Sequence, residues 1–139
     1  MALHQDAKLD HLRAVRLFRN CNHKQLERVA EIVDEAEVEA GRQLCRQGEL
    51  GHEAFVVISG EAAITVDGEE VGTAGPGTLV GQVSLIDNGT RTATVTATTP
   101  MHLLVVPAQR FTQLLEEVPG LPLAIMRDLA AMLRSHGHD

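Results

Sequence analysis

The first third of the chain carries hydrophobic residues at the spacing of amphipathic helices. Apolar residues lie mostly three or four positions apart in two groups. The first group is Leu12, Val15, Leu17 and Phe18, and the second is Leu26, Val29, Ala30 and Val33. Asn22 precedes the second group and can cap its helix, because its side-chain oxygen can accept from a free backbone N–H. We therefore expect a helical lead-in over about residues 8–40 that ends at Gly41, and we interpret the acidic run Asp34–Glu39 as a solvated face.

Between residues 41 and 106 the pattern changes to short runs rich in Val, Ile and Thr, separated by glycines. The clearest runs are Phe55–Ser59, Ala62–Val66, Val71–Ala74, Thr92–Thr98 and His102–Val106. Asp67-Gly68 and Asn88-Gly89 indicate turns, since these residues favour a positive φ. Many short strands at even spacing predict an antiparallel barrel or jelly roll, so the expected fold is mostly β with flanking helices.

The pattern becomes helical again at residue 108. Ala108–Glu117 is expected to form one helix, and Pro119-Gly120 separates it from a longer helix at Leu121–Ser135. This last helix is apolar on more than one face, which favours a second packing partner. We therefore expect a homodimer formed through it. Met126 and Met132 are interpreted as core residues of the same helix.

Length and composition narrow the class of protein. The 139 residues favour one domain spanning residues 1–139, and they suffice to bury a sizeable core. No run approaches the ~20 apolar residues of a membrane span, and the polar N-terminus lacks the apolar core of a signal peptide. We therefore expect a cytoplasmic protein that makes no contact with a membrane.

Charge and aromatic content argue against direct nucleic-acid binding. The net charge is −7, and the 12 Lys and Arg residues are scattered without forming a basic run. Aromatic residues make up 2% of the chain and include no Trp or Tyr, so there is no platform for stacking bases. The sequence therefore predicts no direct contact with nucleic acid.

The sequence shows no arrangement typical of a catalytic or metal site. The two cysteines lie outside any CxxC pair, and Cys45 has no His or Asp beside it to activate the thiol. Cupin metal enzymes place His-x-His and a glutamate inside a jelly roll, whereas the strand region here holds only His52 and His102. His136-x-His138 lies at the C-terminus, where solvated chain is the usual state. We expect a non-enzyme that uses no metal and no cofactor.

The stretch VGQVSLIDNGTRTATV, residues 80–95, places a charge on an apolar face. In a regular strand Arg91 shares a face with Val95 and Ala97, and a buried charge is costly unless an anion meets it. Gly81 allows a close backbone approach, and Gln82–Leu85 can form one helical turn whose free amides attract an anion. Together these groups can cradle a phosphate. The alternative is that Arg91 pairs with one of the 19 Asp and Glu residues.

The same stretch resembles the phosphate-binding cassette of the cyclic nucleotide-binding domain family. The positions that correspond to the cassette are Gly81, Gln82, Ser84, Arg91, Thr92, Ala93, Thr94 and Val95. Residues 17–41, 47–71, 75–86 and 110–135 resemble the family's N-terminal helices, its hairpins, the turn before the cassette and its closing helices. The resemblance implies a sensor domain like that of the catabolite activator protein, without the DNA-binding domain. It implies an eight-stranded β-roll over residues 41–106, with the cassette at 81–91 and closing helices at 108–135.

This resemblance also implies a regulatory domain that binds a cyclic nucleotide and performs no chemistry. The ligand is expected to be cAMP rather than cGMP. The implied contacts are Gly81, Gln82, Val83, Ser84, Arg91, Thr92, Ile64 and Val71. Arg91 would neutralise the phosphate, with help from the backbone at Val83 and Ser84. Ile64 and Val71 would lie beside the purine, the last helix would form a lid, and the output would pass to a downstream protein.

Gln82 departs from the family pattern, in which a glutamate accepts a hydrogen bond from the ribose 2′-OH. An amide oxygen can still accept, but hydrogen bonds to charged groups are worth about 1.5–3 kcal/mol against about 0.5–1.5 kcal/mol for neutral ones. The alternative is therefore a ligand-independent interaction or dimerisation module that retains the fold. The family also places both Arg91 and Thr92 near the ligand, which requires the strand to begin irregularly.

Overall fold

In residues 2–135, the part of the chain that the structure describes, helices lie at both ends and eight strands lie between them. The structure is a computed structural model. The helices are α1 (Ala2–Ala14), α2 (His23–Ile32), α3 (Gln82–Asp87), α4 (Ala108–Glu117) and α5 (Leu121–Ser135), with a 3₁₀ helix at Arg16–Phe18. The strands are β1 (Asp34–Val38), β2 (Gln43–Cys45), β3 (Glu53–Ser59), β4 (Ala62–Val66), β5 (Glu69–Ala74), β6 (Leu79–Val80), β7 (Thr94–Ala97) and β8 (Met101–Pro107).

The strands form two four-stranded antiparallel sheets. The strand order is β1-β8-β3-β6 in the first sheet and β2-β7-β4-β5 in the second. Side chains from both sheets meet in one apolar core, and the helices pack against a second core on the other side of the first sheet. The prediction of a mostly β fold, built as an antiparallel roll with flanking helices, is confirmed.

Strand β3 is buried on both faces because each face contributes to a different core. Phe55 and Val57 lie between the sheets, whereas Ala54 and Val56 pack with the helices. A nearly continuous apolar run is typical of a strand that is covered on both sides. This strand therefore joins the roll to the helical layer.

The predicted helical lead-in is wrong over its last residues. Helix α2 ends at Ile32, and Asp34–Val38 forms strand β1, which pairs antiparallel with β8. Its acidic residues are exposed, as the sequence interpretation expects, but they lie on an edge strand rather than on a helix. The run Asp-Glu-Ala-Glu-Val has the two-residue period of a strand, and charges on an edge discourage pairing with other chains.

The predicted cap of α2 is confirmed. The Asn22 side chain accepts from the backbone N–H of Gln25 at 2.8 Å, and the Gln25 side chain accepts from the backbone N–H of Asn22 at 2.8 Å. These reciprocal bonds form a capping box. Strands β2 and β6 were not predicted, because runs of three and two residues are too short to show a period.

Helix α5 has the predicted bounds but not the predicted core residues. Leu121 and Ile125 are its buried side chains, whereas Met126 is 58% exposed and Met132 is 45% exposed. The interpretation of both methionines as core is therefore wrong, because only the first half of α5 packs firmly against the protein. Across the described residues, no helix combines the length and apolar character needed to cross a membrane.

Candidate functional site

A cavity of about 510 Å³ lies between the second sheet, α3 and α5. Its size falls within the range of about 300–1,000 Å³ that small-molecule sites occupy. Its walls are formed by Leu17, Cys45, Ile64, Gly77, Thr78, Leu79, Val80, Gly81, Gln82, Val83, Ser84, Arg91, Thr92, Ala93, Val95, Asp128, Ala131 and Met132. Most of this lining is apolar, and the charged side chains among these residues are Arg91 and Asp128.

Gly81 sets the geometry of the cavity wall at the point where β6 gives way to α3. It has a φ of +84° and stands immediately before the first residue of the helix. A Cβ atom at this position would lie 2.6 Å from Arg91 Nη1, closer than van der Waals contact allows. Both the backbone conformation and the close approach of the arginine therefore require glycine.

Arg91 is buried, and no carboxylate among residues 7–135 pairs with it. Its side chain is 7% exposed, and its Nη1 donates to the Gly81 carbonyl at 3.0 Å and to Ser84 Oγ at 3.2 Å. Its Nη2 donates to the Glu53 carbonyl at 2.8 Å. Guanidinium has five N–H donors, and no ion pair to it forms within residues 7–135. Within residues 7–135 Arg91 therefore has no acidic partner, contrary to that alternative, and its charge meets neutral oxygens only.

Backbone hydrogen bonds hold Arg91 against the loop that follows β2. Its N–H donates to the Glu49 carbonyl at 2.7 Å, and its carbonyl accepts from Gly48 N–H at 2.9 Å. Asn88, with a φ of +57°, ends α3 and turns the chain back toward this loop. The Asn88-Gly89 pair predicts a turn here, and Asn88 is the residue of the pair that adopts the positive φ.

Gly51 supports the arginine from the opposite side and was missed by the sequence interpretation. A Cβ atom here would overlap the Ser84 hydroxyl and would lie 3.0 Å from Arg91 Cζ. Only a glycine leaves room for the guanidinium at this position. The sequence shows Gly51 as one glycine among many, and nothing in the neighbouring residues indicates whether such a glycine is needed for a close packing contact or for a turn.

Strand β7, which follows Arg91, begins irregularly, as the family pattern requires. Strand β7 starts at Thr94 rather than at Thr92, so the predicted strand Thr92–Thr98 is too long at both ends. Arg91 and Thr92 precede the regular pleat, and both line the cavity although only the arginine is buried. From Thr94 onward the expected alternation holds, because Val95 and Ala97 are buried.

Gln82 and Ser84 are buried polar residues on the first turn of α3. Gln82 is 7% exposed, lines the cavity, and makes no side-chain hydrogen bond to the residues that the structure describes. Ser84 Oγ accepts from Arg91 and lies 3.3 Å from the Gly81 carbonyl. The Gln82 amide is therefore available to a molecule inside the cavity.

Seven of the eight predicted contacts line this one cavity, and Val71 does not. Ile64 pairs with Gly72 and Thr65 pairs with Glu70, so Val71 is the extra residue of a bulge between β4 and β5. The bulge turns its side chain outward, where it is 47% exposed. The expected position of Val71 beside a bound purine is corrected accordingly.

The family resemblance implied that the last helix forms a lid, but the sequence did not indicate which of its residues line the cavity. Asp128, Ala131 and Met132 come from α5, so the final helix forms part of the wall.

Burial raises the pKa of the Cys45 thiol, although nearby Arg91 acts in the opposite direction. Cys45 is therefore a neutral, apolar part of the wall and not an activated nucleophile.

Comparisons with known proteins assign this chain to a family. The family model described as cyclic nucleotide-binding domain matches residues 35–118, which is more than half of the chain. The chain is 31% identical over 99 residues to the cAMP-dependent protein kinase regulatory subunit of Yarrowia lipolytica, covering 71% of the chain and 26% of that protein. It is 28% identical over 120 residues to the cGMP-dependent protein kinase egl-4 of Caenorhabditis briggsae, covering 81% of the chain and 16% of that protein.

The chain belongs to the cyclic nucleotide-binding domain family. Its fold matches the solved structure of PKAR CBD2 bound to Sp-2Cl-cAMPS with a TM-score of 0.84, at 22% identity, covering 99% of this chain and 94% of that chain. Domains of this family are regulatory and non-catalytic. The chain spans 26% or less of the two curated relatives described above.

Proposed function

We propose that this chain is a regulatory sensor that binds a 3′,5′-cyclic nucleotide in the cavity, with cAMP preferred to cGMP. The observation that carries the proposal is the buried Arg91 charge, which meets only neutral oxygens in the described protein. A cyclic phosphate is a monoanion that would neutralise this charge and accept its remaining N–H donors. Relatives named for cAMP and for cGMP dependence support a cyclic nucleotide as the ligand.

Different residues of the cavity wall contact the phosphate, the ribose and the base of the proposed ligand. Arg91 and the backbone at Val83 and Ser84 face the phosphate. The Gln82 amide oxygen accepts from the ribose 2′-OH, and Ile64 packs against the purine. The apolar lining near the base and the polar cassette at the other end match the two ends of a nucleotide.

Helix α5 is the element through which the effect of ligand binding would reach another protein. It contributes Asp128, Ala131 and Met132 to the cavity, yet only Leu121 and Ile125 are its buried side chains. A ligand that contacts the lightly packed second half of α5 stabilises the position of this helix in which those contacts form. The domain performs no chemistry and needs no cofactor, and the shift of α5 is passed to a downstream protein.

Calorimetric titration with cAMP, cGMP and 5′-AMP tests this proposal. Both cyclic nucleotides should bind with one site per chain, cAMP more tightly, whereas 5′-AMP should bind far more weakly because its dianionic phosphate is not closed into a ring. In thermal unfolding, ligand at 100 times its Kd should add about 2.7 kcal/mol to the free energy of unfolding. No heat and no thermal shift with either cyclic nucleotide would reject the proposal.

A ligand-independent interaction module is the second candidate. It is favoured by the exposed apolar side chains along α5, which are Leu123, Met126, Met132 and Leu133. Exposed apolar groups that cluster on one element commonly mark an interface. In this case α5 would be covered by a second copy of the chain, with or without nucleotide.

The proposed homodimer gives a direct prediction. At micromolar concentration, light scattering should report twice the 15.0 kDa mass of one chain. Met126→Glu, on the exposed face of α5, should return the mass to that of one chain, because it places a charge in an apolar interface. Leu50→Glu is the matched control, since Leu50 is 64% exposed in a loop outside α5. A single-chain mass for the unmodified protein, with and without nucleotide, would exclude the dimer.

Gln82→Glu should strengthen nucleotide binding about fivefold, because a carboxylate accepts a stronger hydrogen bond from the ribose than an amide does, by ~1 kcal/mol. Titration of both proteins with cAMP measures the change. Gln109→Glu adds the same charge at an exposed position on α4 and should leave the Kd unchanged. Weaker binding by Gln82→Glu would show that Gln82 does not contact the ribose, while leaving the role of Arg91 intact.

A further inference from the structure

Three side chains able to bind a metal ion meet outside the cavity. His11 Nδ1 lies 3.2 Å from Glu35 Oε1, and His102 Nε2 lies 3.1 Å from Glu35 Oε2. The two imidazole rings meet edge to face, with their centroids 4.7 Å apart. One ligand atom from each of the three residues lies within 4.8 Å of the other two. The cluster is independent of the proposed nucleotide site.

The fold brings these residues together from three elements. Glu35 pairs with Leu104 across β1 and β8, and His102 precedes Leu104 by two residues. Glu35 and His102 therefore form a diagonal pair on one face of the sheet, where long side chains can meet. His11 comes from α1, where its neighbour Leu12 is buried among residues of the helix-side core. The position of the cluster is thus set by the packing of α1 in that core.

The geometry suits a tetrahedral divalent ion. Zn²⁺ bonds of about 2.0–2.2 Å place neighbouring ligand atoms roughly 3.3–3.5 Å apart. Each histidine nitrogen lies 3.2 or 3.1 Å from a different oxygen of Glu35, and one ligand atom from each residue lies within 4.8 Å of the other two, so a small side-chain movement would let one ion contact all three. Two histidines and one glutamate form a known zinc ligand set, in which water takes the fourth position. The three side chains are between 20% and 35% exposed, so an ion and a water molecule can reach them.

The charge around the cluster favours a cation. Glu35 contributes one carboxylate to the cluster. Glu37 lies directly opposite His102 in the strand register, on the same face as Glu35, and adds a second negative charge nearby.

We propose that His11, Glu35 and His102 bind Zn²⁺, with water as the fourth ligand. The ion replaces the two hydrogen bonds between the histidines and the carboxylate, and it joins α1 to β1 and β8. Bound there, the ion stabilises the packing of the N-terminal helix beside these strands. The site takes Zn²⁺ whether or not nucleotide is bound.

The test uses the full chain with His136 and His138 changed to alanine. That pair lies outside the described residues and offers a competing metal ligand set. Titration of this metal-free protein with Zn²⁺ should show one ion per chain, and Zn²⁺ should raise the melting temperature. His11→Ala, Glu35→Gln and His102→Ala should each weaken Zn²⁺ binding at least about tenfold and abolish the thermal shift. Co²⁺ in place of Zn²⁺ should give the strong visible absorption of tetrahedral cobalt.

His52→Ala is the matched control, because His52 is exposed and lies outside the cluster. It should leave the affinity for Zn²⁺ unchanged. The proposal is overturned if Zn²⁺ fails to bind, if binding survives in His11→Ala and His102→Ala, or if binding disappears when only His136 and His138 are changed. Since no nucleotide is present in these titrations, their outcome is independent of the proposed function.

Discussion

Arg91→Ala should weaken the binding of cAMP by roughly 30-fold or more. Removing one member of a buried, hydrogen-bonded charge pair costs about 2–5 kcal/mol, and every factor of ten in Kd corresponds to about 1.4 kcal/mol. In the described chain no carboxylate shares the Arg91 charge, so nothing there can take over its role toward the phosphate. Calorimetric titration of the variant against the unmodified protein measures the loss.

Two further variants separate binding from folding. Arg91→Lys keeps the charge but loses the planar set of donors that reaches Gly81, Ser84 and Glu53, so its loss of affinity should fall between that of alanine and no change. Arg28→Ala removes an arginine whose partner is Glu117 on the surface, and it should leave the Kd unaltered. An Arg91→Ala protein that remains folded and binds cAMP with undiminished affinity would remove Arg91 from the site.

The proximity of Gly81, Gln82 and Arg91 could be predicted from the sequence because they lie within one short segment. The need for glycine at 81 and for a partner to the Arg91 charge follows from backbone conformation and from the cost of burying a charge, but the residues alone left open whether that partner is an Asp or Glu side chain or an outside anion. The structure adds what those rules cannot supply, namely the neutral oxygens that hold the guanidinium. Two of these are backbone carbonyls, whose positions do not depend on the identity of the residue.

Contacts set by strand register and by helix packing could not be predicted. The family pattern puts Val71 beside the purine, but a bulge between β4 and β5 turns it outward, and a one-residue shift sends a side chain to the opposite face. The apolar pattern of α5 shows an excess of hydrophobic residues without showing which of them the protein covers. Met132 therefore faces the cavity although the sequence favoured the core.

Strand β1 and the metal cluster were missed for the same physical reason. Five residues of mixed acidic and apolar character fit a helix face as well as an edge strand, and only pairing with β8 decides between them. That pairing also aligns Glu35 with His102, which lies 67 positions further along the chain. A spacing rule for metal ligands cannot detect residues that come together only through the sheet.

Gly81→Ala should cost the protein both stability and ligand affinity. An alanine at a φ of +84° is strained by roughly 1–2 kcal/mol. Its Cβ would also lie 2.6 Å from Arg91 Nη1 and 3.2 Å from the Glu53 carbonyl oxygen. Moving the guanidinium away sacrifices bonds worth about 1.5–3 kcal/mol each, since they involve a charged donor. We expect a total loss of about 3 kcal/mol or more in the free energy of unfolding, and cAMP binding weakened at least about tenfold by the displaced charge.

Gly68→Ala isolates the backbone part of this effect, because Gly68 has the same φ of +84° and a Cβ added there would meet no atom within 4 Å. It should lose only the roughly 1–2 kcal/mol of conformational strain and keep its affinity for cAMP. Combining Gly81→Ala with Arg91→Ala then completes a double-mutant cycle in chemical denaturation. With the arginine removed, Gly81→Ala should cost little more than Gly68→Ala does. If it costs as much as in the unmodified protein, the glycine is required by the backbone alone, and its contact with Arg91 does not shape the site.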